Sequence, residues 1–232
     1  MFGLVDSTRR CYDFALQHKS RCGAEQRAVT AADGKRTGTM SQLSELGKVL
    51  HEEHFRIVML LCDLEHRVTG TSASEPLDPR READRRELGD LVFCLDQIID
   101  HNAFEEAELF PLLCANDDGD LAALLTEEHR AIGPLATRLR AVASAILEHG
   151  TDNRRWQDFK DVAAEMVPAM MFHLQKEEMT VVQRLDRILD SRVDGTLARK
   201  HSAERAPIRK RPAVPGLGGG TPTASATIVG HA

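Results

Sequence analysis

His101-Asn-Ala-Phe-Glu105 and its echo His173-Leu-Gln-Lys-Glu177 decide how this chain of 232 residues is read. In each run a histidine and a glutamate stand four apart, so a helix places imidazole and carboxylate on one face, about one turn from each other. No other His-x-x-x-Glu pair occurs in the chain. Both interrupt long helical patterns of apolar residues, where an unpaired imidazole or carboxylate is costly to bury. Two such pairs point to a metal site between helices.

Working outward, Leu43, Leu46, Leu50, His54, Ile57, Leu61 and Leu64 recur at three and four, which predicts a first helix from Ser41, a candidate N-cap, to about Val68. Thr69-Gly-Thr-Ser-Ala-Ser-Glu-Pro76 reads as a loop, and Asp78-Pro79 as the cap and first position of a second helix running to about Cys114. Asn116-Asp-Asp-Gly119 breaks the pattern before a third helix, from about Asp120 to His149. Gly150-Thr-Asp-Asn153 is the next stop-and-cap signal. The fourth helix carries Trp156, Phe159, Val162, Met166, Met170, His173, Glu177 and Val181 and is expected to end near Asp190, with kinks expected near Pro111 and Pro168.

Short loops between four helices imply an all-α, up-down-up-down bundle, and its geometry can be checked from sequence numbers alone. Antiparallel neighbours reach a common level only where their residues are equally far from the shared turn. With His54, the middle of the 101–105 pair, His129 and the middle of the 173–177 pair as that level, the midpoints fall on the Pro76–Pro79 loop, on Asn116 and on Asp152. The loops come from Gly, Pro and Asn, the level from His and Glu, so the agreement is not built in. It gathers His54, His101, Glu105, His129, His173 and Glu177 at one height in the core: four imidazoles and two carboxylates. One ion would normally use fewer, so the count suggests two ions sharing the carboxylates. Iron is the choice for this donor set, with manganese or zinc behind it.

Leu50-His-Glu-Glu-His54, His101-Asn-Ala-Phe-Glu-Glu-Ala-Glu-Leu-Phe-Pro111, Glu127-Glu-His-Arg-Ala-Ile132 and His173-Leu-Gln-Lys-Glu-Glu178 resemble, in order and spacing, the motifs of the hemerythrin-like, His-His-Glu cation-binding family. The resemblance covers residues 41–191. It implies a four-helix bundle holding a non-haem, carboxylate-bridged di-iron centre, two histidines on each iron, with O2, NO or a similar small molecule as ligand. Oxygen-carrying members present two histidines four apart on the third helix, whereas here Gly133 follows His129 at that distance. The remaining set is similar to that of the bacterial repair-of-iron-centres proteins and of sensor-type hemerythrin domains. Fewer protein ligands leave open positions, which favours O2, NO or redox sensing, or iron handling, over reversible O2 storage. His51 is read either as an ordinary helix-face histidine or as a replacement ligand, and Glu108 either as an outer contact to a ligand or as an ionic contact.

Other classes fit less well. A ferritin-like enzyme would use Glu-x-x-His pairs, which residues 41–191 lack, and the same range has no tyrosine for radical chemistry. No catalytic residue is assigned, and whether the chain is an enzyme is left open, with a non-enzymatic role preferred. Repair by iron donation is the second reading, although Cys11 and Cys22 are not the adjacent cysteines that the resemblance would require. A metal-free helical interaction module is the third. A net charge of −6 argues against a general nucleic-acid partner, and no stretch approaches the roughly 20 apolar residues of a membrane span. Five cysteines without a Cys-x-x-Cys pair and no apolar leader point to the cytoplasm, with Cys62, Cys94 and Cys114 read as small core residues.

Residues 1–39 read as an N-terminal extension, partly helical or disordered, with Met40 as the expected initiator. Residues 40–191 form the bundle, and 192–232 a disordered, basic, Pro/Gly-rich tail. That tail is read as solvated, or as docking through its basic cluster on an acidic protein partner or a membrane surface, and its removal from residue 196 onward is expected to leave iron content unchanged.

Overall fold

The computed structural model describes residues 43–70 and 74–203, so the N-terminal extension with Met40, the candidate cap Ser41, Cys11 and Cys22, and the chain from 204 onward lie outside the described residues. The described residues are helices and loops without a strand. Helix α1 spans Glu45–Thr69, α2 Glu82–Phe104, α3 Phe110–Ala115, α4 Gly119–His149, α5 Asn153–Thr180, α6 Leu185–Ile188 and α7 Ser191–Ala203.

Local chemistry sets the ends. Ser44 accepts a hydrogen bond from the Gly47 amide (3.0 Å) and caps α1, and Asp152 accepts one from the Arg155 amide (2.7 Å) and caps α5. Gly150 takes φ +79°, in the left-handed region that closes α4. The second helix begins at Glu82, later than the Asp78-Pro79 signal suggests, because Asp78 is spent on a turn: its side chain accepts from the Arg80 amide and its carbonyl from the Arg81 amide.

It also does not run unbroken to Cys114. Glu105–Leu109 is a π-helical turn between α2 and α3, with the Phe110 amide bonded to the Glu105 carbonyl. Pro111 has no amide to donate and its ring clashes with the carbonyl four residues back, so the ladder is rearranged just before it. By contrast α4 and α5 continue through Pro134 and Pro168.

Helix α2 packs on α4, α4 on α5, α5 on α1 and α1 on α2. The interior falls into two apolar clusters. One holds Ile57, Leu61, Leu64, Leu88, Leu95, Ile98, Ile132, Leu139, Phe159 and Met170 among others, and the second holds Leu46, Leu50, Phe104, Leu109, Phe110, Leu113, Leu125, Val181 and Leu185. A fully buried Leu, Ile or Phe contributes about 1.5–3 kcal/mol, so two such clusters can hold a costly polar layer between them. On α1, α2 and α4 the step from one cluster to the other occurs at a histidine, His54, His101 or His129, and beyond Leu174 of α5 it occurs across Glu177, before Val181.

The C-terminal region departs from expectation. The fourth long helix ends at Thr180, and a 3-10 turn (Val182–Arg184) and α6 carry the chain to Asp190. Ser191–Ala203, read from composition as the start of a disordered tail, is helix α7, packed on α1 with Leu197, Ala198, Asp194 and His201 buried. Asp194 accepts hydrogen bonds from the Glu45 and Leu46 amides (2.7 and 2.9 Å), two orphan donors at the start of α1. The helices approach closely there, since a Cβ at Gly195 would stand 3.0 Å from Glu45 Oε2. Cys62 and Cys94 are only half-buried and Cys114 is exposed, short of the core positions expected.

Candidate metal centre

The structure brings all six sequence-derived residues together in one buried layer. His54, His101, Glu105 and Glu177 form one group of converging donors, and His129, His173, Glu105 and Glu177 a second, each with its donor atoms within 4.8 Å of one another. The two groups share both glutamates. His54 Nε2 and His101 Nε2 lie 3.3 Å apart, and His129 Nε2 and His173 Nε2 3.0 Å apart. Glu177 lies between the pairs: Oε2 is 3.5 Å from His54 Nε2 and 3.8 Å from His101 Nε2, while Oε1 is 3.2 Å from His173 Nε2 and 4.0 Å from His129 Nε2. Glu105 Oε2 is 3.4 Å from His101 Nε2 and 3.5 Å from His129 Nε2, one imidazole of each pair.

Each histidine turns its other nitrogen to a carboxylate. His54 Nδ1 donates to Glu178 Oε1 (2.8 Å), His129 Nδ1 to Glu106 Oε1 (3.0 Å) and His173 Nδ1 to Glu128 Oε2 (3.0 Å), while His101 Nδ1 faces Glu53 Oε1 at 3.5 Å. The acceptors form a ring in chain order. Glu53 of α1 serves His101 of α2, Glu106 of the π turn serves His129 of α4, Glu128 of α4 serves His173 of α5, and Glu178 of α5 serves His54 of α1. The hydrogen-bonded carboxylates on His54, His129 and His173 fix the tautomer with hydrogen on Nδ1 and the lone pair on Nε2, and the Glu53 charge 3.5 Å from His101 Nδ1 favours the same tautomer there without a hydrogen bond. Two inward lone pairs then face each other at 3.0–3.3 Å, a repulsive arrangement unless a cation lies between them.

The donor set passes a metric test as well. Atoms about 2.1 Å from one ion stand about 3.0 Å apart at a right angle and about 3.4 Å apart at a tetrahedral angle. Most of the Nε2 and carboxylate spacings, at 3.0–3.5 Å, are close to such edges, whereas Glu177 stands wider of His101 (3.8 Å) and His129 (4.0 Å). Glu105 Oε2 and both Glu177 carboxylate oxygens are buried and have no hydrogen-bond partner among the described residues, as expected of groups shaped to hold a cation.

Without an ion, protons must take over this role. Burial and the Glu177 charge push the Glu105 carboxyl up. Burial also opposes the Glu177 charge, but the His173, His101 and His54 imidazoles outweigh it and hold Glu177 low. Burial would lower His101 and His173, yet Glu105 and Glu53 around His101, and Glu177 and Glu128 around His173, raise both. His129 is lowered to about 4 by burial and by the neighbouring His173 charge. An ion entering this layer would thus displace protons.

Two residues whose role the sequence leaves open stand outside the donor groups. His51 donates to Glu178 Oε2 (2.9 Å) from outside the layer and stands in neither donor group. Glu108 pairs with Lys200 (2.5 Å) on the surface, carried outward by the π turn. At Gly133 a Cβ would meet nothing within 4 Å; Pro134 follows, and the missing Cβ eases the clash that disfavours helix before proline.

Glu53, Glu106, Glu128, Glu178 and His201 were missed. A signal existed for the four glutamates: each neighbours a residue of the central layer, in Glu53-His54, Glu105-Glu106, Glu128-His129 and Glu177-Glu178. A neighbour on a helix points about 100° away, toward the adjacent helix. His201, in the supposed tail, gave none.

Fold and site together define an all-helical protein with buried His/Glu groups suited to metal-ion binding. Residues 120–211 match the family model described as Hemerythrin HHE cation binding domain, which bears out the resemblance carried by the motifs over that part of the chain. The match takes in His129, His173, Glu177 and α7, and starts after His54, His101 and Glu105. No curated protein and no solved structure gives a significant match. No helix among the described residues is long and apolar enough to cross a membrane.

Proposed function

We propose that residues 43–203 form a hemerythrin-like bundle whose four long helices run up-down-up-down and hold a carboxylate-bridged pair of iron ions that responds to O2, NO or redox state. The observation that carries the reading is the convergence of two imidazole pairs, each with inward lone pairs, on two shared, otherwise unpartnered carboxylates. The change of apolar cluster along α1, α2 and α4, and just past the end of α5, supports the topology. His54 and His101 would hold one ion and His129 and His173 the other, with Glu105 and Glu177 spanning both.

A bound iron pair would supply redox chemistry and affinity for small diatomic ligands. The protein's own residues would hold that pair in a buried layer between apolar clusters. The outer carboxylates would keep Nδ1 of His54, His129 and His173 protonated by hydrogen bonds and that of His101 by a nearby charge, leaving each Nε2 for the ion. Four histidines and two glutamates leave coordination positions without a protein ligand, and Gly133, one turn past His129, adds no side chain there. That supports response to a small molecule rather than a closed structural site. Ligand-dependent change in the absorption spectrum of the anaerobic, iron-loaded chain tests the proposal. Bands that appear with O2 or NO support it, and a spectrum indifferent to both, or a chain that takes up zinc in preference to iron, contradicts it.

A further inference from the structure

The outer carboxylates differ from one half of the centre to the other. Those behind His129 and His173 reach solvent, the Glu106 side chain being 45% exposed and the Glu128 side chain 26% exposed and paired with Lys176. Those behind His54 and His101 are buried, Glu178 at 4% and Glu53 at 1% exposure. Each of the buried pair is also shared with a second histidine: His51 donates to Glu178, and His201 Nε2 donates to Glu53 Oε2 at 2.5 Å. His201 is itself buried and lies against Phe104, ring centroids 4.1 Å apart.

Helix α7 is fixed over this half by the Asp194 contacts to the start of α1 and by Lys200 on Glu108 of the π turn. His201 thereby reaches from the C-terminal helix to the carboxylate that faces His101. An ion leaves when its imidazoles swing away, which breaks their outer contacts. Where the acceptor is exposed, water replaces the broken contact. Where it is buried and held by a second histidine, nothing does.

We infer that His201 is a positioning residue of the metal centre: through Glu53 it locks His101, so that the ion at the His54/His101 position is retained while the ion at the His129/His173 position exchanges first. This rests on the two-ion reading proposed above. The test loads the full-length chain anaerobically with Fe(II), adds excess ferrozine and follows iron release by absorbance. The unmodified chain should release one iron quickly and one slowly.

His201→Phe keeps a ring against Phe104 but removes the donor, and should speed the slow phase about 10- to 100-fold while leaving the fast phase unchanged. His201→Gln loses the ring but retains an amide N–H for Glu53, and should keep the slow phase near that of the unmodified chain. A purely structural role for the ring would reverse that order and overturn the inference, as would release of both irons in a single phase. A chain that never binds two irons would sink the two-ion reading itself, whereas two irons whose release ignores both variants would sink only the role of His201.

Discussion

Replacing Glu177 by Gln should uncouple the protein from its metal at both positions at once. The substitution keeps the volume of a fully buried side chain but removes the charge whose Oε2 faces His54 and His101 and whose Oε1 faces His129 and His173. At free iron about 100-fold above each dissociation constant, one filled site stabilises the fold by about 2.7 kcal/mol, so two contribute about 5 kcal/mol. For a chain of this size each kcal/mol moves the melting temperature by about 2–4 °C, giving about 10–20 °C between iron-loaded and chelated protein. The assay is anaerobic thermal unfolding by circular dichroism, with and without Fe(II). The unmodified chain should show the shift and Glu177→Gln should show almost none, with helical content retained. A shift preserved in the variant would refute the bridging role of Glu177.

His101→Ala or Glu105→Ala should abolish stoichiometric iron by elemental analysis, whereas His51→Ala should leave two irons bound, since His51 donates to Glu178 and stands in neither donor group. Iron affinity should fall with acidity: with His101 and His173 raised above the ordinary 6.5, each ion must displace a proton below those raised values, and pH-dependent titration should show proton release on loading. In the iron-free protein His129 acts oppositely. Lowered to about 4, it stays neutral in the fold while the unfolded chain is protonated, so its contribution is lost as pH falls from about 6.5 to about 4, measurable as a declining urea midpoint. Gly89→Ala, on the exposed face of α2 with open space at its Cβ, should raise stability by about 0.5–1 kcal/mol. Ending the chain at 203 should leave iron content unchanged, but ending it at 195 removes Leu197 and His201 and should cost the slowly released iron, contrary to expectation from composition.

The bundle level was legible because two independent codes agreed. Gly150, Asn116 and the prolines at 76 and 79 mark turns through backbone chemistry, and the four histidines mark a polar layer in apolar helices. The π turn was half legible. Pro111 announces a disturbance, but whether the helix kinks, ends or gains a residue depends on how Leu109 and Phe110 pack, which is tertiary. Helix α7 was not legible, because Arg192, Gly195, Thr196, Arg199 and Lys200 look like tail. Its order comes from long-range contacts, Asp194 on the α1 amides and His201 on Glu53, that no local pattern announces.

Iron stoichiometry in anaerobic Fe(II) titration of the metal-free, full-length chain bears on the centre as a whole. The two imidazole pairs and their shared glutamates predict saturation at two irons per chain, with Mössbauer spectra of the oxidised form showing two coupled high-spin ions. Saturation at one iron, or two uncoupled ions, would contradict a bridge through Glu105 and Glu177.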